Sequence, residues 1–131
     1  MAGLLVGIWP HPLTDEIAAL LQPAADLGGE RIEHGPGWTT WTVHDDLKLV
    51  GAAHCRRTVD HAVEVVLVGG TGFRDWIGPL DERIGAWARD EAATCLRAYG
   101  RRGWVPVLTK QGWSVASGGR VTIYERGLNI G

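Results

Sequence analysis

Residues 61–68, HAVEVVLV, are the most apolar run in the chain, and together with the segment after them they restrict the fold more than any other stretch. Gly69, Gly70 and Gly72 separate this run from a segment in which Trp76, Ile77, Leu80, Ile84 and Trp87 fall on one helical stripe. A strand that is apolar on both faces belongs in the middle of a sheet, covered on each side. Strand, glycine turn and amphipathic helix in succession form a crossover, which requires helices packed on a sheet. Arg74, Asp81, Glu82, Arg83 and Arg89 lie mostly off the apolar stripe. Pro79 is expected near the first turn, where its missing N–H costs nothing.

The rest of the chain supplies elements around this centre. Leu4–Ile8, closed by WPHP, reads as a buried strand. Thr14 caps a helix whose first turn carries Asp15 and Glu16 at the positive end of the dipole. Ile17, Leu20, Leu21 and Ala24 share one face of it; Pro23 is expected to kink or end it, and Gly28-Gly29 to stop it. HGPGW, residues 34–38, is a loop. WTTWTVHDD and LKLVGAAHCRRT are β-rich around an Asp45-Asp46 turn, a hairpin signature. Residues 93–99 read as another strand. RRGWVPVLTKQGW then reads as a short helix with Trp104, Val107 and Leu108 inward and Gly112 as its stop. Two alternating runs around Gly118-Gly119 make a second hairpin. The predicted order is β-α-β-β-β-α-β-α-β-β: a single α/β (α+β) domain over 1–131, with a mixed, mostly antiparallel central sheet flanked by helices.

Composition narrows the function classes. A formal charge of −2 and only two short arginine pairs, Arg56-Arg57 and Arg101-Arg102, give no footprint for nucleic acid. The opening MAGLLVGIWPHP has no charged leader region and too short an apolar run for a membrane span, so a soluble, cytoplasmic protein is expected. Cys55 and Cys95 stand in no metal or redox spacing and read as small buried hydrophobes in a reducing compartment. The five histidines, His11, His34, His44, His54 and His61, show no zinc-like spacing, so no metal site is expected. No nucleophile elbow is present. The tryptophans read mainly as core, with Trp38 and Trp41 the least constrained.

The glycine turn itself has two readings. Bare backbone at Gly70 and Gly72 would let a phosphate approach main-chain N–H groups at a helix start, with Arg74 as a nearby cation. Alternatively the glycines only permit positive φ where a strand reverses into a helix. The turn is neither a Walker loop nor a Rossmann fingerprint.

The element order, with VEVVLVGGTGFRDWIGPLDERIGAWARDE in the middle and GRRGWVPVLTKQGW after the next strand, resembles the GNAT (Gcn5-related N-acetyltransferase) superfamily, and most closely its small, divergent phage and prophage members. The resemblance implies acetyl-CoA as co-substrate, with its pyrophosphate on the backbone of Leu67-Val68-Gly69-Gly70-Thr71-Gly72. Gly70 and Gly72 match the family motif, and Leu67 stands where it has Gln or Arg. Main-chain groups of Leu67 and Val68 would hold the thioester carbonyl and pantetheine, with Thr71 and Arg74 beside the phosphates. Glu64, in the central strand, is the implied base, its pKa raised by burial; the other reading is that it faces solvent or pairs structurally with His61, Arg56 or Arg57. Gly112-Trp113 matches a Gly-Phe motif, and Leu108 occupies the position of a tyrosine that protonates the departing thiolate. Tyr99, Tyr124 or water would have to replace it, and Arg101-Arg102 could reach a CoA phosphate. The acceptor is expected to be a small-molecule or protein amine. The other function kept open is a catalytically degenerate phage virion or accessory protein that acts through protein contacts within a larger assembly.

Overall fold

A computed structural model describes residues 3–100, 104–117 and 122–128. The elements are β1 (Leu4–Trp9), α1 (Asp15–Gly28), β2 (Trp38–Asp45), β3 (Lys48–Arg57), β4 (Ala62–Gly70), α2 (Phe73–Asp90), β5 (Cys95–Gly100), α3 (Val105–Thr109), β6 (Ser114–Ser117) and β7 (Thr122–Gly127), in the order the sequence predicts. The strands form one sheet in the order β1-β2-β3-β4-β5-β7-β6. The β4–β5 pair is parallel and every other neighbouring pair is antiparallel. β4 lies in the middle, buried from Ala62 to Val68, as its composition demands.

Each face of the sheet has its own apolar core. α1 covers β3 and β4 through Ile17, Leu21 and Ala25, which meet Ala52, Val66 and Leu67. On the opposite face Trp76, Leu80 and Ile84 of α2 pack on Val63, Val65 and Leu96, and Leu108 of α3 joins them. Thr14 accepts a hydrogen bond from the Ile17 N–H at 3.1 Å, and Gly29 closes α1 in the left-handed conformation.

Several local expectations are corrected. β1 is an edge strand with Leu5 and Ile8 exposed, because six residues at the end of a sheet find cover only for Val6. α1 runs through Pro23 to Gly28, and α2 holds Pro79 in its second turn. The first hairpin turns at Asp46 and Leu47, both with positive φ (49° and 70°), one residue later than read from the acidic pair. Cys55 is buried, whereas Cys95 is half-buried. The second hairpin's tip at Gly118-Gly119 and the Arg101-Arg102 pair lie outside the described residues. Among the described residues no helix is long and apolar enough to cross a membrane.

Asp81 is the most consequential departure. It lies on the buried side of α2, where Arg126 of β7 pairs with it at 3.0 Å and the Trp113 indole N–H donates to it at 3.1 Å. The Arg126 guanidinium also lies over the Trp113 ring, 5.6 Å from its centre. Burial pushes the Asp81 carboxyl pKa up, against the pull of Arg126 and Trp113. The cluster ties α2 to the last strand and to the segment after α3. Asp81→Ala would strand a mostly buried guanidinium and an indole N–H, and should cost about 3 kcal/mol in urea denaturation.

Close approach of α1 to β4 sets a second constraint. A Cβ at Gly69 would overlap the carbonyl oxygen of Leu20, a backbone atom that cannot rotate away. Gly69→Ala should therefore lower stability by about 3 kcal/mol, whereas Gly7→Ala, with nothing within 4 Å of the added carbon, should change it by less than about 0.5 kcal/mol. Equal effects at the two positions would refute this packing.

Candidate functional site

β4 and β5 pair in parallel from Ala62↔Cys95 to Val65↔Ala98 and no further. Both strands continue, β4 paired with β3 as far as Gly51↔Gly70 and β5 paired with β7 as far as Gly100↔Thr122. They part at Val66. On β3, His54 faces Leu67 and the next residue, Cys55, faces Val65, so Val66 is one residue too many for its partner strand. Val66 and Leu67 consequently turn to the same face, into the α1 core. Such a bulge bends a strand and increases its twist. Here it coincides with the divergence of β4 from β5, leaving the β5-facing edge of Val66–Gly70 without a strand partner among the described residues.

The wedge opens into a cavity of about 430 Å³. Leu20, Ala24 and Leu27 of α1 form one wall, and Val66 and Val68 line the wedge. Phe73, the first residue of α2, and Trp104 also line it, stacked with ring centres 5.0 Å apart. Trp104 lies over Gly100, where any Cβ would collide with the indole. The ionisable groups in the described lining are Glu30 and Tyr99.

The glycine turn is held from three sides. Gly69 lies against α1, and a Cβ at Gly70 (φ 141°) would overlap the Val50 carbonyl. The Thr71 N–H donates to that same Val50 oxygen at 2.9 Å, and the Trp76 indole donates to the Thr71 carbonyl at 2.7 Å. Gly69 and Gly70 are therefore used by packing, and of Thr71 only the hydroxyl is left for a ligand. Gly72 differs: its φ is 69°, and an added Cβ would meet only the Asp75 carboxylate, at 3.4 Å. It begins α2 with no side-chain cap, so the first amides of an 18-residue helix and the exposed Arg74 face outward.

Glu64 lies on the α1-covered face of β4, in a row of side chains that crosses the sheet. Arg56 of β3 bonds one carboxylate oxygen at 2.7 Å, and Arg97 of β5 reaches the other at 3.2 Å. Arg97 continues to Glu125 of β7 at 3.2 Å, and Tyr99 donates its hydroxyl proton to Glu64. Burial alone would raise the Glu64 pKa, as its place in the apolar strand suggests. Hydrogen bonds from Tyr99, Arg56 and Arg97 outweigh it, and the net direction is down. These bonds hold Glu64 as an anion, against the raised pKa that its place in the sequence suggests, and it is not among the described residues that line the cavity. Tyr99 is among them, with its own pKa pushed up to about 12 by burial and by Glu64.

The structure brings together Tyr99, Val68, Gly70 and the start of α2 around one cavity. Leu67 turns its side chain into the α1 core, so only its main chain is available there. Leu108 and Tyr124 are buried on the α2 side. Trp38 stacks on His54 at 4.7 Å and carries Arg56 over its ring, whereas Trp41 is core. His54 gives its Nε2 proton to the Glu33 carbonyl and accepts from Thr40 at Nδ1, 2.9 Å, which fastens the loop before β2 to the sheet. Among the described residues no group of three or more His, Cys, Asp or Glu is placed to hold a metal. Phe73, Trp104 and the α1 wall carry no site signal that sequence reasoning picks out. Phe73 directly follows Gly72, which is the one hint the sequence offers; α1 shows nothing beyond its apolar face.

No protein-family profile and no curated protein sequence matches the chain. Solved structures do. A Klebsiella pneumoniae protein assigned as an acyl-CoA N-acyltransferase superposes with a TM-score of 0.78 at 13% identity, over 96% of this chain and 98% of that one. A Bacillus subtilis acetyltransferase in complex with CoA gives 0.71 at 14%, over 97% and 100%. A GNAT-family acetyltransferase from Elizabethkingia anophelis with acetyl-CoA bound gives 0.71 at 10%, over 95% and 98%. Across nearly its whole length, the chain has the fold of the GNAT acetyltransferases.

Proposed function

We propose that the protein transfers an acetyl group from acetyl-CoA to a primary amine. The observation that carries this reading is the end of β4–β5 pairing at Val65↔Ala98 beside a cavity of about 430 Å³. A pantetheine arm contains amides that need backbone partners, and the free edge of β4 at Val66–Gly70, including the main chain of Leu67 and Val68, offers them. A diphosphate needs fixed donors and positive charge. The uncapped start of α2, side-chain-free at Gly72 and flanked by the Thr71 hydroxyl and Arg74, supplies both. Two of the three structural neighbours described above hold CoA or acetyl-CoA in their crystals, which supports acetyl-CoA as the co-substrate. Use of acetyl-CoA also favours a cytoplasmic setting.

The chemistry falls on Tyr99. Its proton is committed to Glu64, so its oxygen presents lone pairs to the cavity and receives an N–H of the incoming amine. The amine gives its surplus proton to water, its nitrogen bonds the thioester carbon, and the C–S bond breaks. Leu108 has no proton to give, so the thiolate is protonated by water. Glu64 positions Tyr99. A second reading, a GNAT-fold phage virion or accessory component, is favoured by Leu108 and by the exposed apolar edge strand β1.

Acetyl-CoA at about 100 times its Kd should add about 2.7 kcal/mol of stability, which raises Tm by roughly 8 °C. Arg74→Glu should weaken that binding at least about tenfold without changing the unliganded Tm. No shift at millimolar acetyl-CoA would favour the scaffold. Tyr99→Phe removes the oxygen that meets the amine and should lower kcat/KM by about a hundredfold, with the acetyl-CoA shift unchanged; an unaltered kcat/KM would remove Tyr99 from the reaction.

A further inference from the structure

We infer that the α1 end of the cavity is the acceptor site for a primary amine with an apolar aryl or alkyl body and no carboxylate. As an acceptor assignment it rests on the transfer reading above; as a binding site it does not.

Size comes first. About 430 Å³ holds on the order of a dozen groups the size of a water molecule at ~30 Å³ each, far more than an acetyl group and the end of a thiol fill. Phe73 and Trp104 mark the end nearest the start of α2, where the co-substrate enters. The remaining space lies against α1, and Leu20, Pro23, Ala24 and Leu27 make that wall apolar. An alkyl or aryl body is recognised there by exclusion of water.

Polarity then selects the head group. The two ionisable side chains in the described lining, Glu30 and Tyr99, are both acceptors toward the cavity, Glu30 as a carboxylate and Tyr99 because Glu64 holds its proton. No Lys, Arg or His stands among the described lining residues. The nearby Arg56 and Arg97 are bound to Glu64, with Arg56 also stacked on Trp38. An ammonium therefore finds partners, while a carboxylate would meet Glu30 and, among the described lining residues, no cation. Rejection of the anion is as much a part of the specificity as attraction of the amine.

The test titrates phenethylamine, phenylalanine and hydrocinnamic acid into the full chain by calorimetry, alone and with saturating CoA. Phenethylamine should bind with Kd below ~1 mM, and both carboxylates at least about tenfold more weakly. Glu30→Gln, at an exposed position, should weaken phenethylamine about tenfold and leave the acetyl-CoA-induced Tm shift in place. Ala24→Trp should fill the α1 wall and abolish amine binding. If acetyl-CoA gives no shift and phenethylamine still binds with this order, the transfer reading fails and the amine site stands. If acetyl-CoA binds and phenethylamine does not, alone or with CoA, the inference is overturned. So is it by carboxylates that bind as tightly as the amine, or by octanoyl-CoA that binds tighter than acetyl-CoA and excludes the amine.

Discussion

Two parallel strands that start together and then part are the constraint on which the rest of this molecule depends. Over Val63–Val65 the backbone of β4 is satisfied by β3 and β5 at once. Beyond the bulge at Val66 it keeps β3 alone. A sheet interior tolerates such a rupture only if something else holds the strands in place. β4 is held by β3 and by α1, which approaches so closely that Gly69 has no room for a side chain. β5 is held by β7 as far as Gly100. Each half of the split sheet is thus anchored on its outer side, and the gap between them stays open without being supported from within.

The side chains around the gap divide into those that hold and those that face it. Trp76 fixes the turn after β4 by its bond to the Thr71 carbonyl, and Asp81 with Arg126 and Trp113 fixes the helix beyond that turn. The row Arg56–Glu64–Arg97–Glu125 crosses the sheet at the base of the gap, binding four strands where the β4–β5 ladder is about to end. Phe73, Trp104 and Tyr99 face the opening. Tyr99 belongs to both groups, because its proton goes to the row and its side chain borders the cavity.

Much of the architecture is legible in the sequence because the informative signals are local. The apolar run before Gly69 announces a central strand, Thr14 and Gly29 mark the ends of α1, and the stripe from Trp76 to Ile84 marks the buried side of α2. The features that escape are set by tertiary context. Asp81 reads as a surface acid until Arg126, 45 residues away, is brought against it. Glu64 reads either as a buried acid of raised pKa or as a structural partner of a nearby residue such as Arg56; the pair with Arg56 forms, and the bonds from Arg97 and Tyr99 are what the sequence does not announce. The glycines stand out correctly but for mixed reasons, since Gly69 and Gly70 serve packing and only Gly72 stands open. The bulge at Val66 has no signature in VEVVLVGG, because it exists only relative to the register of β3.

The contact between Gly69 and the Leu20 carbonyl also limits how this fold can diversify. With backbone pressed on backbone, the β4 side of the cavity is a rigid template, and drift in its residues is punished by loss of the folded state. The opposite wall is less constrained, since Leu20, Ala24 and Leu27 line it with side chains that are only half-buried. Homologues that handle different molecules should therefore differ along one helical stripe of α1, at every third or fourth residue, while the strand opposite is left alone.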